Sequence, residues 1–398
     1  MVQDPGIRLR SAYERGCRVQ LGAEVNIAIA RPFLGPEEEE AAVRAIRSGW
    51  VSQGPLVREF EERFARYVGA KHAVATTSCT TALHAALAVS GIGSGDEVIV
   101  PSLSFIATAN AVVHCGARPA FVEIDPGTCN MDPEKIEGSI TKRTKAVMPV
   151  HQMGLPADLD RIKEIVDKHG LILIEDAACA IGSAYKGTRI GGHGNIACFS
   201  FHPRKIITTG EGGMVTTDDA DVAARLRRFR HHGMSVSDME RHQAKKVIIE
   251  EYPEIGYNYR MTDIQAAVGI EQLRKLDAIL EKRRQIASYY DHELSGISCI
   301  RVPKIPETVF HNYQSYWIEI LSSSPLSRNA LMEGLLDKGI ATRRGIMAIH
   351  RERCYSDVET SLPVTERISD STVLLPLYPT LTADEAMYVV NQLWEFLK

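Results

Sequence analysis

Apolar residues recur along this chain in two periods, and the change from one to the other marks out an architecture. Val57, Phe60, Phe64, Tyr67 and Val68 fall at helical spacing and predict a helix packed on a core. Before it, Pro36 and four glutamates open a helix that Ser48-Gly49 closes. From His72 onward, short apolar runs alternate with helical stretches. His72 to Ala75, Glu97 to Val100, Arg118 to Ile124, Lys145 to Val150, Leu171 to Glu175 and Ile196 to Phe201 read as strands. Thr81 to Val89, Phe105 to His114 and Asp158 to Lys168 read as helices between several of them. Such alternation predicts an α/β fold with a mainly parallel central sheet flanked by helices on both faces. Asp219 to Arg230 reads as a basic helix, and His231 to Glu251 as a polar loop. Ile264, Ala267, Val268, Leu273, Leu276, Leu280 and Tyr289 then recur through Asp263 to Leu294, a helix long enough to join two units. Past about Ser295, a strand at Tyr316 to Leu321, a helix near Asn329 to Lys338 and a last helix after Thr382 predict a smaller C-terminal α/β domain. The expected division is an N-terminal arm over 1–25, a large domain over 26–275 and a small domain over 276–398.

Composition narrows the function classes. A net charge of -4 with no basic cluster offers nothing for nucleic acid. No apolar run approaches the ~18 residues of a membrane span, and the first twenty residues carry charge in place of a signal-peptide core. Eight cysteines without a CxxC pair and thirteen histidines without HExxH predict no metal site and no disulfide framework. A cytoplasmic protein is expected. The cluster Gly91-Ile92-Gly93-Ser94-Gly95 precedes a strand, whereas a dinucleotide loop must follow one, so a nicotinamide-dependent dehydrogenase does not fit.

The chemistry centres on Ser200-Phe201-His202-Pro203-Arg204-Lys205-Ile206-Ile207-Thr208-Thr209-Gly210-Glu211-Gly212-Gly213, a strand running into a glycine turn. Gly210, Gly212 and Gly213 are expected to supply the backbone freedom of that turn. Lys205 lies just past a strand's carboxyl end, where open α/β sheets bind ligands. It reads either as a solvated loop lysine or as a desolvated amine able to attack a carbonyl. Thr76 to Thr80 is a hydroxyl-rich turn into a helix, which suits a phosphate or simply caps the helix. Asp176 ends an apolar strand and either begins a turn or holds a proton on a heterocyclic nitrogen. Phe105 is either core or a flat face for a planar ring.

The order of these features resembles the fold type I pyridoxal-phosphate enzymes, and specifically the DegT family of nucleotide-sugar aminotransferases. Arg31-Pro32, Gly49-Trp50, Gly54-Pro55, Glu175-Asp176-Ala177-Ala178, the Lys205 turn and Gly256-Tyr257-Asn258-Tyr259-Arg260-Met261-Thr262-Asp263 carry the likeness, from about residue 28 to the C-terminus. The resemblance implies pyridoxal 5'-phosphate as cofactor, with Lys205 as its Schiff-base lysine and Asp176 paired to its ring nitrogen. It implies Ser200, Thr80 and the Cys79 amide as phosphate ligands, Phe105 as the stacking aromatic, and Asn258 as a residue reaching the phosphate of a neighbouring subunit in a homodimer. His151, Arg260, Arg343, Arg344 and His350 stand where the family meets substrate, although His151 also reads as a buried structural histidine and the others as charged surface residues. The implied reaction moves an amino group, from glutamate, onto a nucleotide-linked ketosugar.

Two departures stand out. Cys179 replaces a glutamine that in the family can contact the cofactor's phenolic oxygen, and cysteine is a weak hydrogen-bond partner. Ser78-Cys79-Thr80 replaces a glycine-threonine pair, which backbone amides can still serve. A dehydratase of the same family would carry histidine in place of Lys205, and a non-catalytic sensor or scaffold of this fold would be expected to lose Lys205 or Asp176. Both residues are present.

Overall fold

Strands buried on both faces lose the alternation of half-exposed ones, and the continuous apolar runs of this sequence become the middle of one sheet. The structure, a computed structural model, describes residues 25–237, 241–242, 244–358 and 360–398, so the expected N-terminal arm lies almost wholly outside the described residues. In the large lobe the chain runs α1 (Pro36–Arg47), α2 (Pro55–Val68), β1 (His72–Thr76), α3 (Cys79–Val89), β2 (Glu97–Pro101), α4 (Ala107–His114), β3 (Arg118–Val122), β4 (Thr144–Val147), α5 (Leu159–His169) and β5 (Ile172–Asp176). A hairpin of β6 (Ala184–Tyr185) and β7 (Thr188–Arg189) follows, then β8 (Ile196–Ser200), β9 (Gly213–Thr217), α6 (Ala220–Phe229) and the long α7 (Asp263–Leu294).

The seven-stranded sheet has the order β1-β9-β8-β5-β4-β2-β3. Only β9 runs antiparallel to its neighbours. Successive side chains go to opposite faces. Val74, Val98, Ile174 and Cys198 pack with α3, α4 and α6, whereas Ala73, Ala75, Ala197 and Phe199 pack with α2 and α7. Asp263, the first residue of α7, also fixes the start of α2: its carboxylate accepts the N–H groups of Gly54 (2.8 Å), Leu56 (3.1 Å) and Val57 (3.0 Å). Two helix N-termini are thereby tied together by one buried side chain.

The small lobe adds β10 (Ile300–Arg301), β11 (Val309–Phe310), β12 (Tyr316–Ile320), α8 (Arg328–Asp337), β13 (Arg343–Arg344), α9 (Pro363–Ser371), β14 (Thr372–Leu375) and α10 (Ala383–Leu397). Its sheet is antiparallel, in the order β10-β12-β14-β13. The helix α7 belongs to two cores, with Leu276 and Leu280 against Phe64 and Phe199, and Tyr290 and Leu294 against Tyr316 and Leu335. Ile27 falls within the expected large domain but lies in the small lobe's core. Its N–H donates to the Gly339 carbonyl (2.8 Å) and its carbonyl accepts from Ala341 (2.9 Å), which binds this segment to the strand-like edge there. No described helix is long and apolar enough to cross a membrane.

A turn over 311–314 fastens the lobes. Arg283 of α7, buried, donates to the carbonyls of Tyr313 (2.9 Å) and Gln314 (2.7 Å), and burial pulls its guanidinium down to about 9. His311 donates through Nε2 to the Met153 carbonyl, and burial lowers it to about 3. An unfolded chain protonates His311 near 6.5 while the folded chain resists until about 3, so the unfolded state binds more protons between those values. Stability should therefore fall as pH drops through that window, by at most about 1.4 kcal/mol per pH unit from this group. In urea titrations across pH, His311→Gln should flatten that part of the profile relative to the parent chain.

Candidate functional site

The site lies where the carboxyl ends of β1, β5 and β8 meet, and strand register decides its membership. Gly213, which opens β9, pairs with Thr76 on one side and Ser200 on the other. A Cβ at Gly213 would stand 2.3 Å from the Ser78 carbonyl oxygen, so a missing side chain lets the turn after β1 close over the sheet. Gly212 likewise leaves room for Thr209 and Met261. Of the three glycines expected to supply positive φ, only Gly210 does so, at 83°. The other two are required by close approach.

The turn after β1 starts a helix two residues earlier than the sequence pattern predicts. Ser78 is its N-cap, accepting the Thr81 N–H, while the Thr81 hydroxyl accepts the Ser78 N–H (3.0 Å). The Ser78 carbonyl takes the Ala82 N–H. The amides of Cys79 and Thr80, the first two of α3, have no intrahelical acceptor, and the Ser78 carbonyl before them lies against Gly213, the strand partner of Ser200. Ser200 is itself buried. Cys79 points back into the sheet, its thiol 3.7 Å from the Cys198 carbonyl and pushed well up by burial.

Asp176 ends β5 in register with Cys198. Its Oδ2 accepts the Thr108 hydroxyl at 2.7 Å and its Oδ1 the Ala178 N–H at 3.1 Å. Burial holds this carboxyl above its ordinary range, against the pull of those two donors and of Lys205. Thr108 was not legible as a site residue, although it lies only three residues beyond Phe105, in the first turn of α4. Phe105 itself is 63% exposed, so it is no core residue in the isolated chain.

Lys205 Nζ lies 3.1 Å from Cys179 Sγ. Burial acts to lower this lysine, but the sulfur of Cys179, followed by Cys79 and Asp176, outweighs it and holds the ammonium above its ordinary value. The backbone on each side of the contact is held from the small lobe. Asn312, wholly buried, donates to the carbonyls of Cys179 and Ile181, both at 2.8 Å, and Gln314 donates to the Arg204 carbonyl at 2.7 Å.

The remaining candidates divide. His151 is fully buried behind Asp176: its Nδ1 accepts the Ala157 N–H, so its proton is on Nε2, which donates to Glu175 at 2.9 Å. Burial works against the Glu175 charge, yet His151 and Asn195 hold that carboxyl below its usual range. His350 is also enclosed, between the Ser102 hydroxyl (2.7 Å) and Glu366 (3.3 Å). Arg260 contacts His231, and Arg344 pairs with Glu352 at 3.3 Å. Arg343 is exposed on β13 without an ion-pair partner among the described residues. Asn258 is exposed as well, and the carbonyl of the next residue, Tyr259, accepts the Thr77 N–H, which lays this segment along the α3 turn.

These donors fit pyridoxal phosphate on chemical grounds. Helix-end amides with a buried hydroxyl suit a phosphate, and a buried carboxyl with no ion-pair partner among the described residues suits a cationic ring nitrogen. Removing one donor to Asp176 tests that fit. Thr108→Val should weaken cofactor affinity by about 1.4 kcal/mol, about tenfold, in absorbance titrations of the cofactor-free protein.

Comparison with known proteins gives the same picture independently. Residues 32–394 match the model of the DegT/DnrJ/EryC1/StrS aminotransferase family. A GDP-perosamine synthase of Caulobacter vibrioides is 40% identical over 374 residues, 93% of this chain and 98% of that protein. Among solved structures, DesV of S. venezuelae superposes with a TM-score of 0.84 at 34% identity, covering 97% of this chain and 96% of that one. The PLP form of Spr1654 from Streptococcus pneumoniae superposes at 0.86 with 28% identity, over 94% of this chain and 100% of that one. The chain belongs to the DegT/DnrJ/EryC1/StrS family and is a pyridoxal-phosphate-dependent aminotransferase that acts on sugars.

Proposed function

We propose that the enzyme takes its amino group from glutamate, delivers it to a ketosugar carried on a nucleotide, and works as a homodimer with shared sites. The observation that carries the catalytic assignment is the convergence of Lys205 and the buried Asp176 carboxyl at one sheet edge, beside the open amides of α3. Bound pyridoxal phosphate supplies an electron sink for negative charge developing on a substrate carbon. The Cys79 and Thr80 amides with the Ser200 hydroxyl would hold its phosphate, Asp176 would keep its ring nitrogen protonated, and Phe105 would cover one ring face. Lys205 would hold the cofactor through Nζ. As a free amine, the same nitrogen would take the proton from the donor's α-carbon, and in the second half it would return a proton to the sugar carbon. One base serves both halves because the released amine already stands beside the carbon it must reach.

Substrate and assembly rest on further features. The exposed Arg343 guanidinium suits an anionic group, whereas His151 and His350 are occupied by buried partners. The name of the Caulobacter relative carries a GDP-linked product. Val247, Ile249 and Ile255, between 84% and 92% exposed, form an apolar stretch leading to Asn258, which supports a subunit interface there and a contact from Asn258 to the partner's phosphate site. The seven described cysteines are all free, which supports a reducing compartment such as the cytoplasm.

Borohydride should fix the cofactor to the peptide containing Lys205, and Lys205→Ala should retain cofactor binding while turnover falls by about a thousandfold. Label on a different lysine would overturn the assignment. For the substrate, the amino form of the enzyme is offered a panel of nucleotide ketosugars and the return of aldehyde-form absorbance is followed. Removing the nucleotide from a good acceptor should lower kcat/KM by about a hundredfold, because remote binding energy is lost from the transition state. Equal use of free keto acids would leave the cofactor chemistry standing and sink the substrate. Asn258→Ala should weaken cofactor binding, and a fully active monomer in sedimentation would rule out shared sites.

A further inference from the structure

The Lys205 amine and the Cys179 thiol are neighbours at 3.1 Å, and a thiol becomes an electrophile toward amines once it is oxidised. Cys179 is half-buried and open to a small oxidant. Cys79 and Cys198, the other thiols of this pocket, are buried and their thiols are pushed well up, which keeps them in the unreactive form. We infer that Cys179 and Lys205 form a reversible sulfur–nitrogen link under hydroperoxide, a modification site that removes the amine on which the amino-transfer chemistry depends.

The atoms balance in two steps. A hydroperoxide transfers oxygen to Cys179, giving the sulfenic acid and an alcohol, or water from hydrogen peroxide itself; sulfur loses two electrons to the O–O bond. The Lys205 nitrogen then attacks that sulfur. The S–N bond forms, the S–O bond breaks, one N–H proton leaves with the oxygen, and water departs.

Local structure favours the second step. Asn312 fixes the Cys179 carbonyl and Gln314 the Arg204 carbonyl, so both backbones are held in register from one turn of the small lobe. The four-carbon stem of the lysine supplies the remaining movement. Electrostatics change in the same direction. The sulfur of Cys179 is what chiefly opposes burial in setting the protonation of Lys205. Oxidation removes that support and so favours the deprotonated amine, against the remaining pull of Cys79 and Asp176. Bound cofactor competes by occupying the same nitrogen. The consequence for activity rests on the role of Lys205 proposed above, but the link itself does not.

The full-length cofactor-free protein is treated with hydrogen peroxide and examined by intact mass and by peptide mapping without reduction. The linked chain should read about 2 Da below the reduced chain, with the peptides of Cys179 and Lys205 joined. Dithiothreitol should reverse it, and saturating pyridoxal phosphate added first should suppress it. Borohydride fixation of added cofactor to Lys205 should be lost on linking and restored with reduction. Cys354→Ser should behave as the parent, Cys179→Ser should not link, and Lys205→Ala should carry Cys179 on to the sulfinic acid, about 32 Da heavier. A Cys79–Cys179 disulfide gives the same mass loss but a different map, and finding it would overturn the inference. So would oxidation of the parent Cys179 to sulfinic acid as fast as in Lys205→Ala. A mapped link that leaves borohydride fixation of the cofactor intact would uphold the modification and overturn the role of Lys205.

Discussion

A carboxyl group removed from water at the end of a strand sets the terms for this structure. Burying Asp176 without partners would be costly, and its partners come from two directions: the Thr108 hydroxyl at the start of α4 and the Ala178 amide in the following turn. The residue before it, Glu175, points to the opposite face and is wholly buried too, satisfied by His151 and Asn195. Two adjacent carboxyls on one strand therefore demand α4, β4 and β8 in fixed positions around them. Once those elements are placed, the α3 amides, Ser200 and Lys205 have little choice of position. The chemistry occupies an edge that the fold must build in order to house its own charges.

The parts of the molecule that were legible in sequence are those whose physics is local. The helix predicted over Asp263 to Leu294 has the same bounds in the structure, because thirty-two residues of steady period and a Thr262 cap leave no competing reading. The strands of the large sheet were visible as short apolar runs, and Lys205 and Asp176 as polar residues at the ends of such runs. What was not legible depends on contacts distant along the chain. Thr108 meets Asp176 across 68 residues and Asn312 meets Cys179 across 133, and no local pattern records either. Strands β13 and β14 and helix α9 are short, and their sequence has no clear period. His151 left two readings open until both its nitrogens were seen to be engaged, and two glycines credited with backbone freedom proved to be there for clearance.

The departure at Cys179 also changes meaning in three dimensions. A weak hydrogen-bond partner in place of an amide looks like a loss when only the cofactor's oxygen is considered. Beside Lys205 the sulfur is the group that most offsets burial of the amine, so it takes part in setting the protonation of the residue expected to do the chemistry. The same pairing is held by the small lobe, through Asn312 and Gln314, although both members sit on loops of the large one.

The helix that threads both cores has a thermodynamic consequence. Its first half is packed among residues of the large lobe and its second half among those of the small one, with Arg283 donating to carbonyls of the turn that fastens the two. Melting either core would strip one half of a continuous hydrogen-bonded rod and leave the other without its continuation. The lobes are thus poor candidates for separate folding units. Heat or denaturant should dismantle them in a single concerted transition, and a chain cut within this helix should yield two halves that are each unstable alone.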